Sequence, residues 1–212
     1  MKIGIFGTGE VGQALARGFV KRGDEVMIGS RDSEKARKSA AAVDAKVKGA
    51  TFAEVGKFGD AMVLATLWSG TKSAIDMAGV DAFKGKVVLD VTNPLVFEPN
   101  SPPKLALGHT DSGGEQVQRW LPDAKVVKVY NTVGNKHMVD PQFPGGPPDM
   151  FLCGNDEGAR ATVSKICQDF GWAVIDLGGI EQSRLLEPLC ILWVLYGVRT
   201  GSWDHAFKLL RK

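Results

Sequence analysis

Short apolar runs alternate with amphipathic stretches along the chain. Lys2–Phe6 reads as a strand and Val11–Arg22 as a helix, followed by a strand at Glu25–Gly29 and a helix at Ser33–Val43. A weak strand near Lys46–Lys48 leads to a short helix at Phe52–Phe58. Next come an apolar strand at Ala61–Ala65, a helix from Thr71 to Ala78 and a strand at Lys86–Val91. A proline- and glycine-rich loop from Asn93 to Gly114 precedes a helical turn at Glu115–Leu121 and a strand at Lys125–Tyr130. A second long loop, Asn135–Pro148, holds four prolines. The pattern closes with a strand at Met150–Cys153, a helix at Glu157–Phe170, a strand at Ala173–Asp176 and a helical region from Ile180 onward.

Strand–helix alternation with nearly continuous apolar strands predicts a sheet covered on both faces. Right-handed crossovers then give an α/β, doubly wound, mostly parallel sheet of the Rossmann nucleotide-binding kind. Residues 1–180 form that domain in this reading. Residues 181–212 form a small C-terminal helical extension, packed on the same domain or on a dimer partner. Ligands of such a sheet bind beyond the carboxyl ends of the strands, at the point where strand order reverses.

One of those strand ends carries a phosphate turn. Gly7-Thr8-Gly9-Glu10-Val11-Gly12 is G-x-G-x-x-G, a weak signal alone. Here it follows an apolar strand and opens a helix at the start of a βαβ unit, which is the context the motif requires. Gly7 permits the tight turn, Gly9 lets the backbone approach a diphosphate, and Gly12 lets helix and strand pack closely. The helix N-terminus adds free N–H groups and partial positive charge.

The end of the second strand selects the dinucleotide. An NAD site needs an acid there for the ribose diol, about 20 residues past the glycines. This chain has Ser30-Arg31, a hydroxyl and a planar cation suited to a 2′-phosphate, with Lys35 one helical turn on. Asp32 is acidic, but it stands where a helix cap belongs. NADP(H) is therefore the expected cofactor. Further strand ends, Thr66-Leu67-Trp68, Asn93-Pro94 and Asn131, offer hydroxyl and amide groups to a ribose or carboxamide without adding charge. His137, in the second loop, is a weak candidate for a proton donor or substrate contact, and equally a surface histidine. Glu187, inside an apolar helix, either caps another helix or lies near the site.

Composition narrows the function classes. The 212 residues are 44% hydrophobic, enough for a full core, and the net charge of +2 gives no electrostatic case for nucleic acid or an acidic membrane. Cys153, Cys167 and Cys190 are odd in number and far apart, which argues against a disulfide framework or a zinc site; no metal is expected. Free thiols and the lack of a secretory pattern at the start make a cytoplasmic location the expectation. The longest apolar run, Leu189–Val198, is about half of the ~20 residues that span a bilayer, so it reads as a core or interface helix. A terminal helix apolar on nearly every face predicts a homodimer.

Several of these residues carry a family resemblance. Gly7-Thr8-Gly9 with Ser30-Arg31, the Trp68 segment, Asp90-Val91-Thr92-Asn93-Pro94 and Lys128-Val129-Tyr130-Asn131-Thr132 resemble the NADPH-dependent reductases of coenzyme F420, the 8-hydroxy-5-deazaflavin. The likeness extends through Ile175–Ile180 and Arg184–Pro188. It implies that Thr8, Ser30, Arg31 and Lys35 hold the NADP end. It also implies a single Rossmann-type domain, often dimeric, that transfers a hydride between nicotinamide and a deazaflavin or flavin ring. Such a transfer is catalysed mostly by positioning. Two alternatives stay open: an NADPH-dependent reductase of a small carbonyl or imine, and a non-catalytic NADP-sensing module.

Overall fold

The computed structural model describes residues 1–99, 101–210 and 212. In chain order the main elements are β1 (Lys2–Phe6), α1 (Glu10–Arg22), β2 (Glu25–Ser30), α2 (Ser33–Ala41), β3 (Lys48–Thr51), α3 (Phe52–Phe58), β4 (Ala61–Leu64), α4 (Trp68–Ala78) and β5 (Val87–Asp90). A small hairpin follows, β6 (Leu95–Val96) with β7 (Lys104–Leu105), and then α5 (Gly113–Trp120), β8 (Lys125–Lys128), β9 (Asp149–Gly154), α6 (Glu157–Asp169), β10 (Ala173–Asp176) and α7 (Ser183–Thr200).

Eight strands form one sheet in the order β10-β9-β8-β5-β4-β1-β2-β3. The six strands β8, β5, β4, β1, β2 and β3 are mutually parallel, as the alternating pattern predicts. β9 departs from it, pairing antiparallel to β8, and β10 pairs parallel to β9. The reason lies in the connection. A parallel neighbour needs a crossover, usually a helix. The segment between β8 and β9 holds only a 3-10 turn, Asn135–His137, so the chain folds straight back. The second proline-rich loop therefore lies at the same sheet edge as the carboxyl ends of β1, β4 and β5.

Side chains alternate between two cores. Ile3, Ile5, Val63, Leu89 and Val127 face α1 and α6 through Leu15, Phe19, Val163 and Ile166. Phe6, Met62, Leu64, Val88 and Val126 face α3, α4 and α5 through Val55, Ile75 and Val117, with Leu186 of α7 in the same cluster. No helix among the described residues is long and apolar enough to cross a membrane.

Three expectations shift. The weak strand lies at Lys48–Thr51 rather than Lys46–Lys48, because Asp44 closes a turn with the Lys46 N–H; Thr51 then caps α3 in a reciprocal box with Glu54. The first long loop contains the β6–β7 hairpin. The C-terminal region is helical only to Thr200. Gly201, at φ 68°, ends α7 in a left-handed turn, and Trp203 folds back over Gly197. The tail then runs beside β9, where the Asp149 N–H donates to the Phe207 carbonyl at 3.0 Å.

Candidate functional site

The glycine turn is built by close contacts. Gly7 has φ 133°, and a Cβ there would sit 2.3 Å from the Ala65 carbonyl oxygen; a Cβ on Gly12 would sit 2.4 Å from that of Gly7. Both positions are closed by backbone. Gly9 differs, since a Cβ there would meet nothing within 4 Å. Gln13 and Ser39 donate to the Thr8 carbonyl at 3.0 and 3.2 Å, which fixes the turn. Gly9 provides no side-chain cap for α1, so the first N–H groups of the helix are left for an incoming anion.

Asp32 settles its own role. Its carboxylate accepts from the Glu34 and Lys35 N–H groups at 2.8 and 3.1 Å and caps α2. Those bonds, from Lys35 first and Glu34 second, hold its carboxyl below the usual aspartate range. Ser30, Arg31 and Lys35 stay on the rim, with Arg31 and Lys35 exposed.

These residues border a cleft of about 720 Å³ along the carboxyl ends of β1, β2, β4 and β5. Of the residues singled out from sequence, Gly7, Thr8, Gly9, Glu10, Val11, Ser30, Arg31, Lys35, Thr66, Leu67, Trp68 and Asn93 line it. Gly12 lies beneath the turn. Pro94 and Asn131 are buried and do not line the cleft. His137 does not line it either. Its Nε2 meets Asp204 at 2.9 Å and its ring packs on Phe143, so the C-terminal tail occupies it. The lining also includes Phe52, Ser73, Leu95, Phe97 and Asn135, which no local pattern marked. Leu95 and Phe97 arrive on the unforeseen hairpin. Asn135 is brought in by the antiparallel return and bonds Glu10 at 3.3 Å.

The far side of the cleft rests on a buried charge cluster. Lys128, wholly buried, lies 2.7 Å from Asp90 and 3.1 Å from Glu187, and donates to the Thr92 carbonyl at 2.9 Å. Burial opposes the ammonium charge, but the two carboxylates outweigh it and raise its pKa above the ordinary lysine value. Glu187 also accepts from the N–H groups of Gly113 and Gly114, both at 2.9 Å. It therefore caps α5 within its own chain, where the helix dipole offsets the second carboxylate. The glycine pair is what lets α7 come so near: a Cβ on Gly114 would sit 2.2 Å from the Ser183 hydroxyl. Asp90 in turn accepts from the Thr92 N–H and hydroxyl at 3.0 and 2.7 Å. The Thr92–Asn93 strand end is thus fixed from below.

The rest of this rim is apolar and flat. Trp68 stacks on Trp120 with ring centres 5.3 Å apart, and Leu67 and Phe97 are largely exposed. Thr71 donates to the Leu67 carbonyl and meets the Thr66 hydroxyl at 2.9 Å, holding the start of α4 against β4. The arrangement offers an anion cradle and cations at one end and a flat apolar slot at the other.

Comparison with known proteins agrees with that geometry. The family model described as "NADP oxidoreductase coenzyme F420-dependent" matches residues 2–94. An F420-dependent NADP reductase of Methanocaldococcus jannaschii is 31% identical, over 95% of this chain and 95% of that protein. The chain belongs to the coenzyme F420-dependent NADP oxidoreductase family. A crystal structure of a putative F420-dependent NADP reductase from Arthrobacter sp. FB24 is 36% identical over the whole of both chains, with a TM-score of 0.94. An imine reductase from Streptomyces aurantiacus shares the fold, at 16% identity and a TM-score of 0.66. It matches 96% of this chain but 64% of its own.

Proposed function

We propose that this NADP-dependent oxidoreductase binds NADP(H) along the cleft and passes a hydride between its nicotinamide and the deazaflavin ring of F420, or a flavin ring of similar shape. The observation that carries the reading is Ser30-Arg31 with Lys35 at the end of β2, on the rim of the cleft that the glycine turn opens. An acid there would repel a 2′-phosphate; two cations attract it. The open space at Gly9 leaves room for a diphosphate, and the lining residues run from β2 across β1 to β4 and β5, a path for a dinucleotide. NADP(H) supplies the hydride chemistry when bound.

What the chain adds is placement. The N–H groups of the first α1 turn hold the diphosphate, and Arg31 and Lys35 hold the 2′-phosphate. Thr66 and Asn93 offer polar contacts at the opposite end. Trp68, Leu95 and Phe97 cover a flat ring and exclude water from it. Among the described residues no side chain on that rim is disposed as an acid or base, which suits a transfer that needs none.

The test is NADPH oxidation with F420, FMN, FAD and a panel of carbonyls and imines. Turnover with the tricyclic acceptors and none with the panel is expected. Carbonyl or imine reduction without ring reduction would overturn the proposal. The imine-reductase likeness extends to the fold alone.

The working unit we propose is a cytoplasmic homodimer in which residues 1–180 bind the dinucleotide and 181–212 form an extension. Supporting this, Leu185, Leu192 and Tyr196 are 63%, 56% and 54% exposed and recur along one face of α7. Light scattering at tens of micromolar should give twice the chain mass.

A further inference from the structure

Asn131 stands at a strand end where a cofactor contact is expected, yet it is 3% exposed and does not line the cleft. Its bonds explain what it does instead. The Asn93 Nδ2 donates to the Asn131 carbonyl at 2.9 Å, and the Asn131 Nδ2 donates to the Asn93 Oδ1 at 3.1 Å. The second N–H of Asn131 goes to the Leu186 carbonyl on α7 at 2.8 Å. Turning the Asn131 amide over would set its oxygen against two acceptors, so its orientation is determined. Its own Oδ1 is buried without a partner, the cost of keeping the donor side directed at Asn93.

The effect falls on Asn93. A carboxamide has two donors and an oxygen with two lone pairs. Asn131 engages one donor and one lone pair, which fixes both the plane of the Asn93 amide and which end is oxygen. One donor and one lone pair remain for a ligand in the cleft that Asn93 lines. The backbone beneath is already held by Asp90 and Lys128 through Thr92. The remaining freedom of Asn93 is its side-chain rotation, whose terminal torsion is broad when unrestrained.

We propose that Asn131 is a positioning residue for hydride transfer: without touching cofactor or acceptor, it presets the Asn93 carboxamide at the nicotinamide end of the cleft. This rests on the reading of the cleft as the NADP(H) site. Misplacing a contact there by about 1 Å can cost up to ~100-fold in rate.

Asn131→Ala, Asn93→Ala and the double variant test it. The expected NADPH affinity of Asn131→Ala is within about threefold of wild type, because the phosphate end is untouched. Single-turnover hydride transfer should fall about tenfold or more. The double variant should be no slower than Asn93→Ala alone, since the two residues act in series. A role in stability alone would lower the melting temperature and leave the single-turnover rate of the folded fraction unchanged. An unchanged rate, or losses that multiply in the double variant, would overturn the proposal. If Asn131→Ala does not fold, Asn131→Ser, which keeps a hydroxyl in the buried site but cannot span to Asn93, carries the same measurements.

The side-chain amide signals of Asn93 give a readout that needs no turnover. In the wild type the two protons should be well separated in ¹⁵N-resolved spectra, and NADP⁺ should move them. Without Asn131 they should converge toward free-asparagine values. If the wild type fails with every ring acceptor, the functional reading falls while this signal still decides the role of Asn131. An Asn93 amide unaffected by loss of Asn131 would sink the inference by itself.

Discussion

The two rims of the cleft are held in place by different means. The β2 rim, Ser30 to Lys35, is largely exposed and local: Asp32 caps α2 from two residues away, and Arg31 and Lys35 are exposed. The opposite rim is buried and assembled from distant segments. Asn93 bonds Asn131, Lys128 bonds Thr92, and Glu187 reaches across 74 positions to Gly113. On the proposed reading the first rim recognises charge through exposed side chains. On the same reading the second holds a ring face in register, and it is tied through the protein interior. Substitutions on the first should change affinity and spare the fold; substitutions beneath the second should change the fold or the rate.

The largest effect should come from the glycine turn. Gly9→Val has room in the free protein, so it should fold with an unchanged melting temperature and lose NADPH affinity by more than about a hundredfold, as two or more diphosphate bonds are blocked. Gly12→Val should do the reverse first. Its Cβ would meet the Gly7 carbonyl oxygen at 2.4 Å. Overpacking of this kind costs roughly 1–3 kcal/mol, or about 2–12 °C in melting temperature for a chain of this size. Calorimetry and thermal melts on the pair distinguish a ligand cradle from a packing contact. Equal stability loss in both would mean that the turn is closed at Gly9 as well.

Next comes charge on the β2 rim. Arg31→Glu removes a phosphate partner and adds repulsion. With ~1.5–3 kcal/mol for each bond to a charged group, NADPH should bind about ten- to a hundredfold more weakly. NADH, which lacks the 2′-phosphate, should change by less than about threefold. Fluorescence titration with both cofactors reads the difference, and an equal loss for the two would detach Arg31 from phosphate recognition.

The same contrast explains what could be read from the sequence. The glycine turn and the Ser30-Arg31 end lie within 35 contiguous residues, and their chemistry depends on local backbone and charge. The family likeness spans the chain, so fold and cofactor class were legible together. The antiparallel return of β9 was not read, although the helix-free loop between two predicted strands is the mark of a direct return. Its consequences, Asn135 in the cleft and His137 taken up by the tail, were hidden with it. Glu187 was visible as a charge in an apolar helix, but its partners are the backbone N–H groups of Gly113 and Gly114. Their sequence shows only a glycine pair. Leu95 and Phe97 face the cleft because a two-strand hairpin turns them there, and two-residue strands are below what periodicity resolves.

The smallest effect concerns the tie between α5 and α7 behind the second rim. Glu115 accepts from Arg184 at 2.8 and 2.5 Å and from the Ser112 hydroxyl at 2.7 Å. The Arg184 bond, ahead of the opposing effect of burial, holds its carboxyl below the usual glutamate value of 4.5. The folded pKa is thus lower than the unfolded one. The stabilisation is complete above the unfolded value and is lost as pH falls through the folded value. Lys128 acts at the other extreme: its raised pKa contributes below the ordinary lysine range and is lost only in strong alkali, so it adds no slope near pH 4. Other carboxylates held low, Asp32 among them, share the acid limb, so the part due to Glu115 is read as the difference between Arg184→Met and wild type. Arg184→Met should make the fall in stability below about pH 4.5 shallower, leave the profile above pH 6 nearly parallel to wild type, and add nothing further when combined with Glu115→Gln. Arg184 is partly exposed and screened by solvent, which makes this the smallest of the effects. An acid limb as steep in Arg184→Met as in the wild type would show that α5 and α7 are joined by Glu187 and packing alone.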